Sequence, residues 1–290
     1  MQLKHLLPGA LAAVAAADSL IEVLAEQNST LSSLNALLAT QPNLVNTLGS
    51  AQNITILAPS NDALDAFLKS PEGASAAARP DLVGALLTYH VLNGTYKASA
   101  FTNTPQFLPT LLTNSSFANV TGGQVVDARL RGITASIFSG LLSDSNVTTA
   151  DVEFDGGVIH VINGLLTIPL PASETATTLE LTSLAAALTA TNLVSTVDSL
   201  SDVTIFAPSN EAFSAVSGNL STDVVSSILT YHVVQGTVGY SSLLSNTTLP
   251  TVNGANLTIT VVDGAVFVNS ARVTISDVLI AGGVVHVIDR

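Results

Sequence analysis

Apolar positions along this chain follow two periods. Leu31, Leu34, Leu37 and Leu38 recur at helical spacing, as do Leu181, Leu184 and Leu188. Thr55-Ile56-Leu57-Ala58 and Thr204-Ile205-Phe206-Ala207 are short unbroken runs that end at Pro59 and Pro208. Such runs predict strands buried on both faces. Asn61-Asp62 and Asn210-Glu211 then suit a turn and a helix start, with Ser60 and Ser209 as capping and turn residues. The stretches from Asp81 to His90 and from Asp223 to His232 predict helices, and Asp81, after Pro80, is placed to cap the first. Strands are expected over Asn256 to Val262, Ala265 to Asn269, Arg272 to Ser276 and Val284 to Ile288. Asp263-Gly264 predicts a tight hairpin between the first two. Helices and strands in this order predict an α+β fold.

The pattern occurs twice. TILAPSNDALDAF (Thr55 to Phe67) returns as TIFAPSNEAFSAV (Thr204 to Val216), a shift of 149 residues. NLVNTL at Asn43 returns as NLVSTV at Asn192 with the same shift. LLTYHVLNGT at Leu86 returns as ILTYHVVQGT at Ile228, shifted by 142, and DVEFDGGVIHVI at Asp151 returns as DVLIAGGVVHVI at Asp277, shifted by 126. Four boxes in one order establish a duplication. The falling shift gives the first copy extra residues, mostly between its second and last boxes, with an insertion expected within residues 101–149. Pro169-Leu170-Pro171 reads as a stiff linker. The expected organisation is a signal peptide at 1–17, a first domain at 18–170, a linker at 171–178 and a second domain at 179–290.

Composition narrows the function. With 8 Lys and Arg against 21 Asp and Glu, the net charge is −13. That excludes nucleic acid as an expected partner, because neutralising phosphates takes clustered cations. Hydrophobic residues make up 47% of the chain, enough for real cores. There is no cysteine, hence no disulfide, thiolate metal site or Cys nucleophile. Lys4, the apolar run Leu6 to Ala17 and the small residues before Asp18 fit a secretory signal, too short to cross a bilayer. No later segment is apolar for long enough, so no membrane span is expected after signal removal. The chain stops inside a strand-like run with no lipid-anchor signal, and a longer natural tail is expected. Nine Asn-x-Ser/Thr sequons support export: Asn28, Asn53, Asn93, Asn114, Asn119, Asn146, Asn219, Asn246 and Asn256. Asn53 and Asn256, beside or within strand-like runs, are the sites least expected to carry sugar. The insertion, with Asn114, Asn119 and Asn146, is expected to shield one side of the first domain.

The boxes resemble the fasciclin (FAS1) domain family. Thr204 to Phe213 is similar to that family's Thr-Phe-Phe-Ala-Pro-Ser/Thr-Asn-x-Ala-Phe motif. The Tyr-His box is present as Tyr89-His90 and Tyr231-His232, and the closing box as Gly157 to Ile162 and Gly283 to Asp289. The resemblance implies two tandem fasciclin-like domains, each a β-sheet wedge with flanking helices. It also implies extracellular adhesion or matrix roles through weak contacts with an extracellular protein or glycan, without a cofactor. In some animal relatives an Asp-Ile pair before the closing box contributes to integrin recognition. The matching positions here are Asp151-Val152 and Asp277-Val278, with Val for Ile, and Gly156 and Gly282 stand where the family has Asn.

Catalytic candidates are few. His90, His160, His232 and His286 all lie in repeated boxes. They read either as metal ligands and acid–base groups or as packed histidines tying helix to sheet. No Gly-x-Ser-x-Gly motif or phosphate-loop spacing is present, so no enzyme is expected. Asp151 and Asp277 read either as turn residues or as exposed contacts, with the Asp277 edge expected to be the more accessible. A binding module or carrier for a glycan or apolar ligand is the alternative function.

Overall fold

The computed structural model describes residues 18–215 and 220–290; the expected export segment at 1–17 and the sequon asparagine Asn219 lie outside them. In the first copy the helices are α1 (Leu20–Glu26), α2 (Asn28–Ala39), α3 (Pro42–Ser50), α4 (Asn61–Leu68), α5 (Pro71–Ala77) and α6 (Pro80–Tyr89). Its strands are β1 (Ile54–Pro59), β2 (Val91–Asn93), β3 (Gln106–Pro109), β4 (Val125–Arg131), β5 (Thr134–Phe138), β6 (Asp144–Phe154) and β7 (Gly157–Ile162). The second copy has α7 (Ala172–Thr178), α8 (Thr182–Ala190), α9 (Val194–Ser199), α10 (Asn210–Ala215) and α11 (Thr222–Tyr231). Its strands are β8 (Val203–Pro208), β9 (Val233–Gln235), β10 (Thr247–Pro250), β11 (Asn256–Val262), β12 (Ala265–Val268), β13 (Ala271–Ile280) and β14 (Gly283–Ile288).

Each copy forms one seven-stranded sheet, and the two have the same topology: β2-β1-β7-β6-β5-β4-β3 and β9-β8-β14-β13-β12-β11-β10. The closing box pairs in parallel with the first box, β7 on β1 and β14 on β8, while the other neighbours are antiparallel. Strands β1 and β8 are buried on both faces, which explains their unbroken apolar runs. On one face the helices supply Leu20, Leu31, Leu34 and Leu87 against Ile56 and Ile159. On the other, the sheet curls so that Leu57 and Ile162 meet Leu108, Val126 and Ile137 of its far strands. The two ends of each sheet touch. The Leu111 amide donates to the Val91 carbonyl at 2.8 Å, and Val252 to Val233 at 2.9 Å.

Local chemistry explains several element ends. Ser60 Oγ and Ser209 Oγ accept from the amides of Ala63 and Ala212 at 3.3 and 3.1 Å. Asp263 and Gly264 both have positive φ, 50° and 78°, as the tight hairpin turn requires. Asp81 does not cap its helix: Arg79 holds that position, and Asp81 lies in the first turn, ion-paired with Arg79 at 3.1 Å. Residues 171–178 are not a free linker. Pro171 precedes α7, whose Ala172 and Ala176 enter the second core.

The repeat shifts have separate structural origins. The first loss, from 149 to 142, equals the length of the seven-residue helix α5, which has no counterpart among the described residues of the second copy. Much of the remainder lies in residues 110–124, where the second copy has only 251–255. The longer loop docks on the second copy. Asn119 donates its amide to Ala281 O at 2.6 Å. Thr121 gives its amide and hydroxyl to Asp202 at 2.7 and 2.6 Å. Buried Gln124 donates Nε2 to Ile280 O at 3.1 Å. Phe107 stacks on Tyr240 with ring centroids 4.0 Å apart, beside Val125, Leu279 and Val284. Asp127 is buried at this junction; it pairs with Arg129 at 3.0 Å, and neither oxygen accepts a well-formed hydrogen bond. Burial, opposed by Arg129 and reinforced by the charge of Asp277, pushes its carboxyl up to about 6.

Candidate functional site

The repeated histidines and aspartates come together in each copy. In the central strands His160 lies opposite Leu57 and His286 opposite Phe206, both rings fully buried. His286 Nε2 donates to Gly239 O at 2.8 Å, and its Nδ1 accepts from the Asp277 amide at 3.3 Å. His160 repeats this with Tyr96 O at 2.7 Å and the Asp151 amide at 3.1 Å. These partners define a neutral ring with hydrogen on Nε2 and no free nitrogen for a metal or a proton relay. Burial lowers the pKa of His286.

The aspartates sit where β6 and β13 lose register, with φ of 57° at Asp151 and 63° at Asp277. That left-handed bulge turns each carboxylate inward. Asp151 accepts from the Ala98 amide at 2.9 Å. Asp277 accepts from the Ser241 amide at 2.7 Å and from the Ser241 hydroxyl by a short bond. Asp277 and Val278 are 4% and 0% exposed, so the expected accessible edge at this position does not exist. Asp151 and Val152 are half-buried, and Val152 packs on the first core. The unit formed is a latch: strand histidine, bulge aspartate and the loop after β2 or β9 hold one another.

The Tyr-His box anchors a helix end. His90 Nδ1 donates to Leu86 O at 2.8 Å, and Nε2 accepts from the Leu166 amide at 3.0 Å. Burial lowers its pKa to about 4, against the hydrogen bond to Leu86 O. His232 donates to Ile228 O at 2.7 Å, and burial lowers its pKa as well. Tyr89 and Tyr231 donate their hydroxyls to Val125 O and Asn256 O, both at 3.0 Å.

Comparison with known proteins decides what this duplicated latch belongs to. The Fasciclin domain matches residues 29–169 and again 179–290. The chain belongs to the fasciclin domain family. It is 34% identical over 293 residues to a fasciclin-like arabinogalactan protein of Arthroderma benhamiae, covering 99% of this chain and 69% of that one. A fasciclin-like arabinogalactan protein of Cercospora beticola is also 34% identical, over 97% of this chain and 78% of its own. A FAS1 domain pair from the insect cell adhesion molecule fasciclin I aligns over 89% of this chain and 94% of its own, at 18% identity and a TM-score of 0.42.

The fasciclin domains present their sequons unevenly. Asn28, Asn53, Asn93, Asn114, Asn246 and Asn256 are exposed, including the two least expected to carry sugar. Asn146 is half-buried, its side-chain oxygen accepting from Ser136 Oγ at 2.7 Å. Asn119 faces the second fasciclin domain rather than a shielded outer side. Sequence reasoning missed the residues that join the fasciclin domains: Phe107, Thr121, Gln124, Asp202 and Tyr240. For Thr121 and Gln124 the available signal was the insertion itself, residues 110–124, since a segment present in only one copy serves a role the copies do not share; Phe107, Asp202 and Tyr240 lie outside it and carried none.

The latch yields a first prediction. Asp277→Ala and His286→Ala should each lower stability by about 1–3 kcal/mol through lost packing and unpaired buried groups. The double variant should cost less than the two singles added, because both act on one latch. Additive losses in urea unfolding would show the two residues acting separately.

Proposed function

We propose that this chain is a secreted, glycosylated and non-enzymatic adhesion protein of the cell wall or extracellular matrix. The carrying observation is near-full-length similarity to fasciclin-like arabinogalactan proteins, over 99% and 97% of the chain. Six exposed sequons and the acidic surface support the same reading. No helix among the described residues is long and apolar enough to cross a membrane. Because the latch residues are turned inward, contacts fall to the sugar-free outer surface. Each contact is weak, and tandem domains gain by avidity when both engage. The expected result is that protein from the culture medium begins near Asp18, carries N-linked sugar and promotes attachment of cells to a coated surface. Retention of intact Met1 on cytosolic protein, or attachment equal to that on an uncoated surface, overturns the reading.

A second reading, an apolar-ligand carrier, is favoured by one feature. A cavity of about 560 Å³ lies between α8, α10 and α11, lined by Ala186, Ala187, Phe213, Ile228 and Leu229. In the first domain α5 packs between α4 and α6, burying Gly73 and Ala76, and among the described residues of the second domain no helix covers α11 in this way. The volume suits a small apolar molecule. An environment-sensitive apolar dye should bind once per chain and be displaced by Ala187→Phe; unchanged binding by that variant removes this reading.

A further inference from the structure

The Asn119 sequon lies where two uses of one atom compete. Asn119 Nδ2, the atom that carries an N-linked sugar, donates to Ser199 O and to Leu200 O, both at 3.1 Å. Both acceptors belong to the second domain, at the end of α9 and just beyond it. The third sequon residue is engaged as well, since Thr121 gives its amide and hydroxyl to Asp202. Sugar attachment replaces one Nδ2 hydrogen with the anomeric carbon of a glycosyl diphosphate donor, and the diphosphate leaves with the proton. The first sugar ring would then occupy the place of a carbonyl that Nδ2 now contacts. The modified nitrogen keeps one hydrogen and cannot satisfy both acceptors.

We propose that the Asn119 sequon gates domain docking: a glycan on Asn119 and the closed domain pair exclude each other. The other described sequons make no such cross-domain bond. At exposed Asn114, five residues upstream, the side-chain oxygen accepts from the Ser116 amide at 3.0 Å and the nitrogen is left to solvent. The competition is settled by timing. Asn119 precedes its partners by 80 and 81 residues. At about 5–20 residues per second, the acceptor surface emerges only some 4–16 s later. A chain modified in that interval keeps its domains apart; a chain that passes it unmodified closes and engages Nδ2, with Asn119 half-buried. Gln124 and the Phe107–Tyr240 stack then complete the junction.

The sugar rests on the export reading, but the exclusion does not, and the test separates them. The chain has no cysteine, so Asn119→Cys and Asn114→Cys each carry a unique thiol. In full-length protein from a non-glycosylating host, a maleimide-linked polyethylene glycol should label Asn119→Cys at least about tenfold more slowly than Asn114→Cys under native conditions. The two rates should match in denaturant. Protein labelled at 119 in denaturant should refold with a larger radius of gyration, and protein labelled at 114 without such a change beyond the polymer itself. Equal native rates, or an equally compact pair after labelling at 119, overturn the proposal. In protein from a glycosylating host, peptide mass spectrometry of the compact fraction should find Asn114 modified and Asn119 bare. Sugar on Asn119 in that fraction also overturns the proposal, whereas sugar at no sequon counts against export and leaves the thiol result to decide the gate.

Discussion

Gly283→Ala is expected to cost the second domain about 3 kcal/mol or more, and Gly157→Ala to cost the first a similar amount. A Cβ at Gly157 would stand 1.9 Å from Ile54 O, and one at Gly283 2.0 Å from Val203 O. Both obstructions are backbone atoms of the neighbouring parallel strand, which cannot rotate away as a side chain can. The φ values, 156° and 154°, add strain for any residue with a side chain. Relief requires the closing strand to move off β1 or β8, which breaks the central pairing of the sheet. Gly49→Ala is the control: it lies in α3 with nothing within 4 Å of its Cβ, and alanine there should be neutral or stabilising by up to about 1 kcal/mol. Guanidinium unfolding followed by circular dichroism checks all three. A loss of under about 1 kcal/mol at both Gly157 and Gly283 would contradict the steric argument.

Acid should destabilise the protein, and Asp127→Asn should make that loss steeper. His90 has its pKa lowered to about 4 in the fold. The unfolded chain therefore takes up protons first as pH falls. The contribution of His90 is complete above about 6.5 and lost as pH drops towards 4, roughly 3 kcal/mol in all. His232 and His286 act in the same sense, their pKa values also lowered by burial. Asp127 acts in the opposite sense. Its carboxyl titrates at about 6 in the fold, so the folded form takes the proton first. Its burial is unfavourable above that pH, and the penalty fades as pH falls towards 4. Asp127→Asn is thus expected to be the more stable protein at pH 7.5, and to converge on wild type near pH 4. Unfolding free energies at pH 7.5, 5.5 and 4.5 give the comparison. A variant less stable than wild type at pH 7.5, or parallel to it throughout, would show that the Arg129 ion pair outweighs the burial.

The parts of this fold legible in the sequence were those made by short-range chemistry and repeated. The Asp263-Gly264 turn needs two residues at positive φ, and few pairs tolerate that. The β1 and β8 runs were plain because both faces are buried. Asp277 misled because an acidic residue ahead of an apolar strand resembles a surface turn. Only the bulge, which depends on pairing with β14, turns it inward. Pro169 and Pro171 suggested a linker, whereas Ala172 and Ala176 were the residues that showed a packed helix. The junction through Gln124 and Tyr240 left no periodic trace, since each residue meets its partner across more than a hundred positions, Gln124 lies in the longer loop of the first copy, and the position of Tyr240 is held by Lys97 in the other.

The touching sheet ends bear on how this protein meets others. A sheet with a free edge can be lengthened by any extended chain, which supplies the missing main-chain partners. Here β2 and β9 are three residues long, and the amides of Leu111 and Val252 already occupy the Val91 and Val233 carbonyls. On the opposite side β3 and β10 end in Pro109 and Pro250, which donate no main-chain hydrogen bond. Peptide capture by strand addition is thereby discouraged, and so is edge-to-edge stacking of copies. Any contact with another molecule is left to side chains on closed surfaces, where it forms and breaks without disturbing the fold beneath.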